Sequence, residues 1–166
     1  MSRIKKDFKL LAAFSILLFL ASCDANRVFE KNIDIAKELW DYDDVKKFEV
    51  DIQDTSIRYN IGVNVRHSFQ FEWRNVYVQI GTTLPDGKKL KKRVNLLLSE
   101  PDGKWYGKCF GDNCFLHIPI QSNFIFPIKG KYTFTIKQDM RQNPLKFMKF
   151  VGLRIEKSSE VKTSEN

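Results

Sequence analysis

Strict alternation of apolar and polar residues is the feature that most constrains what this chain can fold into. Ile57, Tyr59, Ile61, Val63 and Val65 are separated by single polar or small residues. A period of two puts successive side chains on opposite faces of a β-strand, so that one face packs against a core and the other meets water. A slip of one residue would expose every one of these apolar side chains, and the register of this strand is therefore strongly specified.

Similar alternation recurs in short stretches along the rest of the chain, at residues 48–52, 76–80, 90–98, 105–110, 114–120, 132–136 and 151–155. Two copies of Pro-Asp-Gly-Lys, at 85–88 and 101–104, supply turns in which proline sets φ and glycine accepts a positive φ. Pro119 and Pro127 predict a sheet edge or strand ends nearby, because proline cannot donate a ladder hydrogen bond. We therefore expect an all-β fold, a single antiparallel β-sandwich of about eight strands of the jelly-roll or immunoglobulin-like type.

The segment 139–150 breaks the alternation. Pro144 excludes one continuous helix, so one or two short helical turns are expected there. Basic residues stand among several apolar ones, which are too many for all of them to face one core. We expect the segment to contact a partner protein through Arg141, Lys146, Phe147 and Lys149, and the alternative is that it caps the sandwich.

The N-terminus has the three parts of a bacterial lipoprotein signal. A basic start precedes an apolar run at 10–21, which leads into Leu20-Ala21-Ser22-Cys23. A stable membrane-spanning helix needs about 20 apolar residues, so this shorter run predicts a signal peptide that is cleaved before Cys23. Cys23 would then carry acyl chains (palmitate) that hold the mature protein at a membrane. An ordinary secretory signal and a short membrane anchor are the alternatives.

The domain organisation follows from this interpretation. Residues 1–22 form the signal peptide, 23–44 a lipidated tether and lead-in, 45–157 the β-sandwich domain and 158–166 a disordered C-terminal tail. Within the lead-in, 33–40 either forms a short helix or drapes its apolar side chains over the domain. The signal peptide holds four basic residues and one acidic residue, so its loss leaves 144 of 166 residues and lowers the net charge from +8 to about +5. That length fits one domain. No nucleic-acid partner is expected, because an exported protein rarely meets nucleic acid.

The two remaining cysteines are separated by Phe-Gly-Asp-Asn. This turn could bring Cys109 and Cys114 within the Cα spacing of about 4.4–6.8 Å that a disulfide needs, and thiols outside the cytoplasm can oxidise. The alternative is a metal site that adds His117, but this set is one ligand short of a closed tetrahedral site. We expect no metal and no other cofactor.

Candidate catalytic residues are sparse. Histidine occurs only at His67 and His117, and neither stands in a nucleophile–base motif. Asp86, Asp102 and Asp112 lie in glycine-containing turns, where an aspartate bonds its own backbone. We therefore expect no catalytic residues and no enzymatic activity.

Aromatic side chains in or beside the turns suggest a different function. Trp73, Trp105 and Tyr106 would stack on sugar faces if they formed one exposed platform, so a glycan-binding lipoprotein of the cell envelope is the alternative function. The competing interpretation is that these side chains plug the open ends of the sandwich.

Motifs spread over nearly the whole mature chain point to one family. They are Cys23-Asp24, Arg27-Val28-Phe29-Glu30, Trp40, Pro101-Asp102-Gly103-Lys104-Trp105-Tyr106-Gly107-Lys108, Gly111-Asp112, Tyr132-Thr133-Phe134, Met140-Arg141-Gln142-Asn143-Pro144-Leu145 and Val151-Gly152-Leu153-Arg154-Ile155-Glu156-Lys157. In this order the motifs resemble those of the gliding motility lipoprotein GldH family. Cys109, Cys114 and the pair Lys149-Phe150 depart from the family pattern.

The resemblance implies an accessory lipoprotein of Bacteroidota that takes part in gliding motility and type IX protein secretion. It implies no enzymatic activity, and the implied partners are a membrane, through the lipid anchor, and other envelope proteins of that machinery. No acidic run of the kind that drives surface export follows Cys23. We therefore expect the protein at the periplasmic face of the outer membrane.

Overall fold

The computed structural model describes residues 26–158, which form antiparallel β-sheet and irregular segments apart from one 3₁₀ turn at Ala36–Glu38. The strands are β1 (Arg27–Asp34), β2 (Leu39–Trp40), β3 (Lys46–Ile52), β4 (Tyr59–Ser68), β5 (Asn75–Thr83), β6 (Lys89–Leu97), β7 (Lys108–Phe110), β8 (Asn113–Phe124), β9 (Gly130–Gln138), β10 (Leu145–Lys146) and β11 (Met148–Lys157).

These strands form three sheets within the described residues. A five-stranded sheet has the order β1-β11-β4-β8-β7, a four-stranded sheet has the order β3-β9-β5-β6, and β10 pairs with β2. Every strand pair is antiparallel. The all-β antiparallel class is therefore confirmed, whereas the jelly-roll or immunoglobulin-like connectivity stays a prediction.

All three sheets contribute to one hydrophobic core. β3 buries every second residue, as its alternation requires, and β4 and β11 bury Val63, Val65 and Leu153 completely. Trp40 from β2 and Leu145 from β10 are also fully buried in the same cluster. Each sheet therefore packs one face against the core.

Each strand that alternation indicated is present, but the described chain contains eleven strands rather than about eight. The additional strands are β1, β2 and β10. β1 differs from the tether and lead-in expected at 23–44, because it pairs along β11 and places Phe29 and Ile33 against the core. Residues 33–40 hold the end of β1, the 3₁₀ turn and β2, rather than one short helix.

The segment 139–150 contains no helical turn, so that expectation was wrong. β10 pairs with β2, and β11 begins at Met148. Leu145 and Met148 are buried in the core, which the capping of the core explains. Phe150 is buried on the outer face of the five-stranded sheet instead, where its ring contacts Phe115 and Arg66. The apolar side chains of this segment therefore do not all face one core, as the sequence argument expected.

The two Pro-Asp-Gly-Lys turns have the same geometry. The backbone N–H of Lys88 donates to Asp86 Oδ1 at 3.0 Å, and that of Lys104 donates to Asp102 Oδ1 at 3.1 Å. Gly87 and Gly103 have φ values of 85° and 90°, which only glycine adopts without cost. The turn prediction is confirmed, and these carboxylates serve the turns. Pro119 lies on β8 beyond the residues that pair with β7, so the expected sheet edge is also confirmed.

The signal peptide 1–22 and Cys23 lie outside the described residues, as does the tail expected at 158–166 except for Ser158. Along residues 26–158, no helix is both long enough and apolar enough to cross a membrane.

Candidate functional site

A connected set of polar side chains lies on the face of the five-stranded sheet that points away from the core. It consists of Glu30, Asn32, Asn64, His117, Arg154 and Glu156, and we call it the outer-face network. Strand register explains its position, since Asn32, Gly152, Asn64 and His117 stand in one cross-strand row. Residues paired across strands share a face, so this row forms a single surface feature.

Asn64 is the centre of the network. Its side-chain nitrogen donates to Glu30 Oε1 at 2.8 Å and to Asn32 Oδ1 at 3.0 Å, while His117 Nδ1 lies 2.8 Å from its Oδ1. Asn64 is completely buried although it lies on the outer face, because its neighbours cover it. Both amide protons and the carbonyl oxygen are therefore satisfied, which fixes the positions of the three partners.

Two glycines make room for this arrangement. A Cβ at Gly152 would collide with the Asn32 side chain and stand 2.7 Å from the backbone oxygen of Lys31. A Cβ at Gly62 would collide with the His117 ring. Both glycines are therefore required by close approach of side chains across the sheet.

The charged members of the network lie together at one side of it. Arg154 pairs with Glu156 at 2.7 Å and lies 3.6 Å from Glu30 Oε2. Partial desolvation on the sheet, followed by the Arg154 charge, lowers the pKa of His117, which favours the neutral imidazole at pH 7. The network thus presents carboxylates, a guanidinium and a neutral imidazole together. This is a surface suited to binding polar or charged groups.

The second feature is the β7–β8 hairpin, whose two strands are joined by a disulfide bond. Cys109 and Cys114 face each other across the ladder, their Sγ atoms are 2.01 Å apart, and the structure joins them as a disulfide. Ser68 Oγ donates to Asp112 Oδ1 at 2.8 Å, and Lys149 Nζ donates to Asp112 Oδ2 at 3.1 Å. These two hydrogen bonds, that from Ser68 first, lower the pKa of the Asp112 carboxyl. The hairpin tip is thereby held against β4 and β11.

Phe110 at this tip is 91% exposed, the most exposed of the large apolar side chains within residues 26–158. It precedes Gly111, whose φ of 56° lets the chain reverse. Sequence reasoning missed Phe110, although its place between two cysteines and before a Gly-Asp turn marked it as a hairpin tip.

The predicted partner surface is divided in the structure. Arg141 and Lys146 are exposed, whereas Phe147 packs partly against the core. Lys149 is half-buried and pairs with Asp112 at 3.1 Å and with Glu38 at 3.4 Å. Partial burial acts to lower the pKa of Lys149, but the hydrogen bonds to Asp112 and Glu38 outweigh it and raise the pKa. Lys149 therefore holds the hairpin in place, and Arg141 and Lys146 carry the accessible charge.

The three aromatic residues of the expected glycan platform differ in their surroundings. Trp73 is 44% exposed and its Nε1 donates to Gln142 Oε1 at 3.0 Å, and Tyr106 is 38% exposed. Trp105 is half-buried, with its ring 4.4 Å from that of His67. Glycan binding stays a prediction, with Trp73 and Tyr106 as the side chains that reach solvent.

The alternative metal set is not assembled within the described residues. Cys109 and Cys114 are bonded to each other, and His117 pairs with Asn64. His67 is completely buried, and burial lowers the pKa of its ring so that the imidazole is neutral at pH 7. Between residues 26 and 158, no group of three or more histidine, cysteine or acidic side chains is placed to bind a metal.

Sequence reasoning also missed the outer-face network. Glu30, Arg154 and Glu156 belong to two of the motifs that carry the family resemblance, more than 100 residues apart, and the pairing of β1 with β11 joins them. Asn64 showed only as a polar residue in an alternating strand.

Replacing Cys109 and Cys114 with serine should lower the free energy of unfolding by about 2 kcal/mol, because a closed loop of this size restricts the unfolded chain by that amount. Urea denaturation followed by tryptophan fluorescence measures the loss. The wild type in reductant is the matched control and should unfold like the double variant. Equal free energies of unfolding for the oxidised wild type and the variant would show that the disulfide does not stabilise the domain.

Comparison with known proteins gives a consistent result over nearly the whole chain. A family model described as GldH lipoprotein matches residues 27–155. A gliding motility lipoprotein GldH homolog from Christiangramia forsetii is 32% identical over 152 residues, covering 87% of this chain and 92% of that protein. The gliding motility lipoprotein GldH of Flavobacterium johnsoniae is 31% identical over 161 residues, covering 93% of this chain and 98% of that protein.

Proposed function

This chain belongs to the GldH lipoprotein family, and from that premise we propose that it is a membrane-anchored, non-enzymatic accessory component of the gliding motility and type IX secretion machinery. The observation that carries the proposal is the match over residues 27–155. Two motifs of that match meet in the outer-face network, so the matched residues converge on one surface. The two larger sheets around one core are the layers of the β-sandwich that we propose for this domain.

The absence of enzymatic activity is supported by the surroundings of the two histidines. His67 is buried against Phe71 and Trp105, away from any reacting group that would come from solvent. His117 is bonded to an asparagine rather than to a nucleophile or a carboxylate. Both histidines therefore have structural partners, and an interaction role fits them.

Attachment to a membrane would place the domain very close to the bilayer. β1 begins at Arg27, four residues after Cys23. Four extended residues span at most about 14 Å, so a lipidated Cys23 would keep the start of the five-stranded sheet beside the headgroups. We propose that the membrane is the outer membrane and that the domain lies on its periplasmic face, where partners are membrane-bound envelope proteins.

The accessible cations on the segment 139–150 are the part of the proposed partner surface that can be tested directly. Arg141 and Lys146 are exposed, and neither forms an ion pair with another residue between 26 and 158. An acidic surface on an envelope protein would complement them.

The proposal is tested in a strain that lacks the gene and is complemented with variants. Colony spreading and secretion of a cargo protein should both fail in the deletion strain and return with the wild type. Arg141→Glu combined with Lys146→Glu should reduce recovery of co-purifying envelope proteins several-fold without changing the thermal midpoint of the domain. Lys104→Glu combined with Lys129→Glu is the charge-matched control, since both residues are exposed elsewhere on the surface.

Normal spreading and normal secretion in the deletion strain would contradict the proposed function. Unchanged recovery of partners by the Arg141 and Lys146 variant would contradict the proposed surface alone.

A further inference from the structure

An apolar cavity of about 240 Å³ lies between the two larger sheets. Its walls are almost entirely hydrocarbon, and they include Ile61, Ile80, Leu90, Val94, Phe124 and Phe134. The walls come from β4 and β8 of one sheet and from β5, β6 and β9 of the other. The cavity is separate from the outer-face network, which lies on the opposite side of the five-stranded sheet.

The mouth of the cavity is formed where both sheets have an unpaired strand edge. β6 is the last strand of its sheet, and β7 covers β8 only as far as Phe115. Leu90 at this mouth is 50% exposed, although its side chain lines the cavity. A half-exposed leucine over a hydrocarbon-lined space marks an entrance for an apolar group.

Lys92 places a positive charge at the mouth. It stands opposite Ile80 in the β5–β6 ladder, so it lies on the inward face of the sheet together with Leu90 and Val94. Lys91 also lines the cavity. Within residues 26–158, neither Lys91 nor Lys92 pairs with a carboxylate, whereas the adjacent Arg93 pairs with Asp139 at 2.5 Å. Because Lys91 pairs with Gly81 and its side chain leaves the strand on the outward face, only the unneutralised ammonium group of Lys92 is placed at the apolar space.

We propose that this cavity binds a single hydrocarbon chain that carries an anionic head group. The chain would occupy the space between the sheets, and the head group would meet the ammonium group of Lys92. A dry apolar cavity of about 150 Å³ accommodates the six carbons of benzene. By that scale, this cavity has room for roughly ten carbon atoms. The ligand class is therefore a medium-chain fatty acid, or the end of a longer acyl chain on an anionic lipid.

Edge protection is the competing explanation for Lys92. An inward-pointing charge on an edge strand prevents edge-to-edge pairing between molecules. That explanation accounts for a lysine at the edge but not for the volume beneath it or for the exposed Leu90. The two explanations predict different results for the same variants.

The test measures binding of hexanoate, octanoate and decanoate by titration calorimetry. It uses the mature chain from residue 23 with Cys23→Ser, so that no attached lipid competes. We expect one site per molecule, with affinity rising about fourfold for each added methylene and levelling off beyond roughly ten carbons. The interaction concerns the purified domain, so failure of this test would leave the proposed role in motility and secretion unaffected.

Two sets of variants locate the ligand. Lys92→Met should weaken decanoate binding about three- to fivefold, in line with a partly exposed charge pair, and should leave decanol binding unchanged. Lys104→Met, which removes an exposed charge elsewhere, is the matched control and should not affect either ligand. Val94→Phe should reduce decanoate binding more than tenfold by filling the cavity. If Val94→Phe fails to fold, Leu90→Asp at the exposed mouth should have the same effect through repulsion of the head group.

Decanoyl lysophosphatidylglycerol, which has the same chain on a phosphodiester, distinguishes the two sources of the ligand. Tighter binding of this lipid would identify membrane lipid as the ligand, and tighter binding of decanoate would identify free fatty acid. The proposal is overturned if neither binds, if affinity does not depend on chain length, or if Leu90→Asp binds decanoate as the wild type does. Increased self-association of the Lys92→Met variant with unchanged decanoate affinity would overturn the head-group contact and leave edge protection as the role of Lys92.

Discussion

Trp40→Ala should lower the free energy of unfolding by about 3–5 kcal/mol, the range for truncating a buried tryptophan. Trp40 is completely buried, and its Nε1 donates to the backbone oxygen of Asp44 at 2.9 Å. Its backbone pairs with Leu145, so it also joins β2 to β10. Loss of the ring would leave a cavity in the core and would remove the hydrogen-bond donor of the Asp44 carbonyl. It would also weaken the attachment of β10, which follows β9, to β2. Urea denaturation measures the change.

Leu39→Ala is the matched control for this prediction. Leu39 is the adjacent residue of the same strand, but it is 41% exposed, so its truncation should cost about 0.5 kcal/mol or less. Trp40→Phe should lie between them, because it keeps most of the apolar volume and loses the hydrogen bond, which is worth about 1 kcal/mol. Similar losses for Leu39→Ala and Trp40→Ala would mean that Trp40 does not anchor the core.

Local patterns predicted the strands of this domain because a period of two is a property of neighbouring residues. β1 was missed for the same reason: its inward side chains, Phe29 and Ile33, are only partly buried, and Glu30 and Asn32 alternate with them. An edge strand with few buried residues has a weak apolar signal. Its existence depends on the ladder with β11, which no short window of sequence contains.

The segment 139–150 was misinterpreted because its apolar spacing does not follow a strand period. Leu145 and Met148 both face the core, yet they are three residues apart. Phe147 explains the shift, since its φ of 65° reverses the chain between β10 and β11 and changes which side chains point inward. A single residue in the left-handed region is not visible in a hydrophobic pattern, particularly when it is not glycine.

The outer-face network could not be predicted for a related reason. Strand order decides which polar side chains become neighbours, and alternation leaves that order undetermined. Asn64 was predicted to meet water, but β1 brings Asn32 over it across Gly152 of β11, and β8 brings His117. The residues that carry the family resemblance, Glu30 and Arg154, are adjacent only because β1 and β11 pair. The sequence motifs therefore indicate the family, whereas the pairing of β1 with β11 determines which of their side chains share a surface.

Gly152→Ala is expected to have the second-largest effect, a loss of about 1–3 kcal/mol from crowding in a packed sheet and about 1 kcal/mol more from a displaced hydrogen bond. The added methyl group would force the Asn32 amide away from Asn64, and it would also stand 2.7 Å from the backbone oxygen of Lys31, which the β1–β11 ladder holds in place. Because a side chain can move and a laddered backbone cannot, the strand pair itself must separate. Urea denaturation should therefore show a loss of stability, and hydrogen exchange should show faster opening of β1.

Gly81→Ala is the control for this prediction, since Gly81 also lies inside a strand but its added methyl group would closely approach only the Thr135 side-chain oxygen. That oxygen is the end of a rotatable side chain, so the free energy of unfolding should change by about 0.5 kcal/mol or less. If both alanine variants were equally stable, close packing around Gly152 would not hold β1 to the sheet, and the side chains of the outer-face network would not have fixed positions.

If only Gly152→Ala is destabilised, the same variant tests the outer-face network in vivo. Reduced partner recovery at normal protein level would then assign the outer-face network to the contact with the machinery.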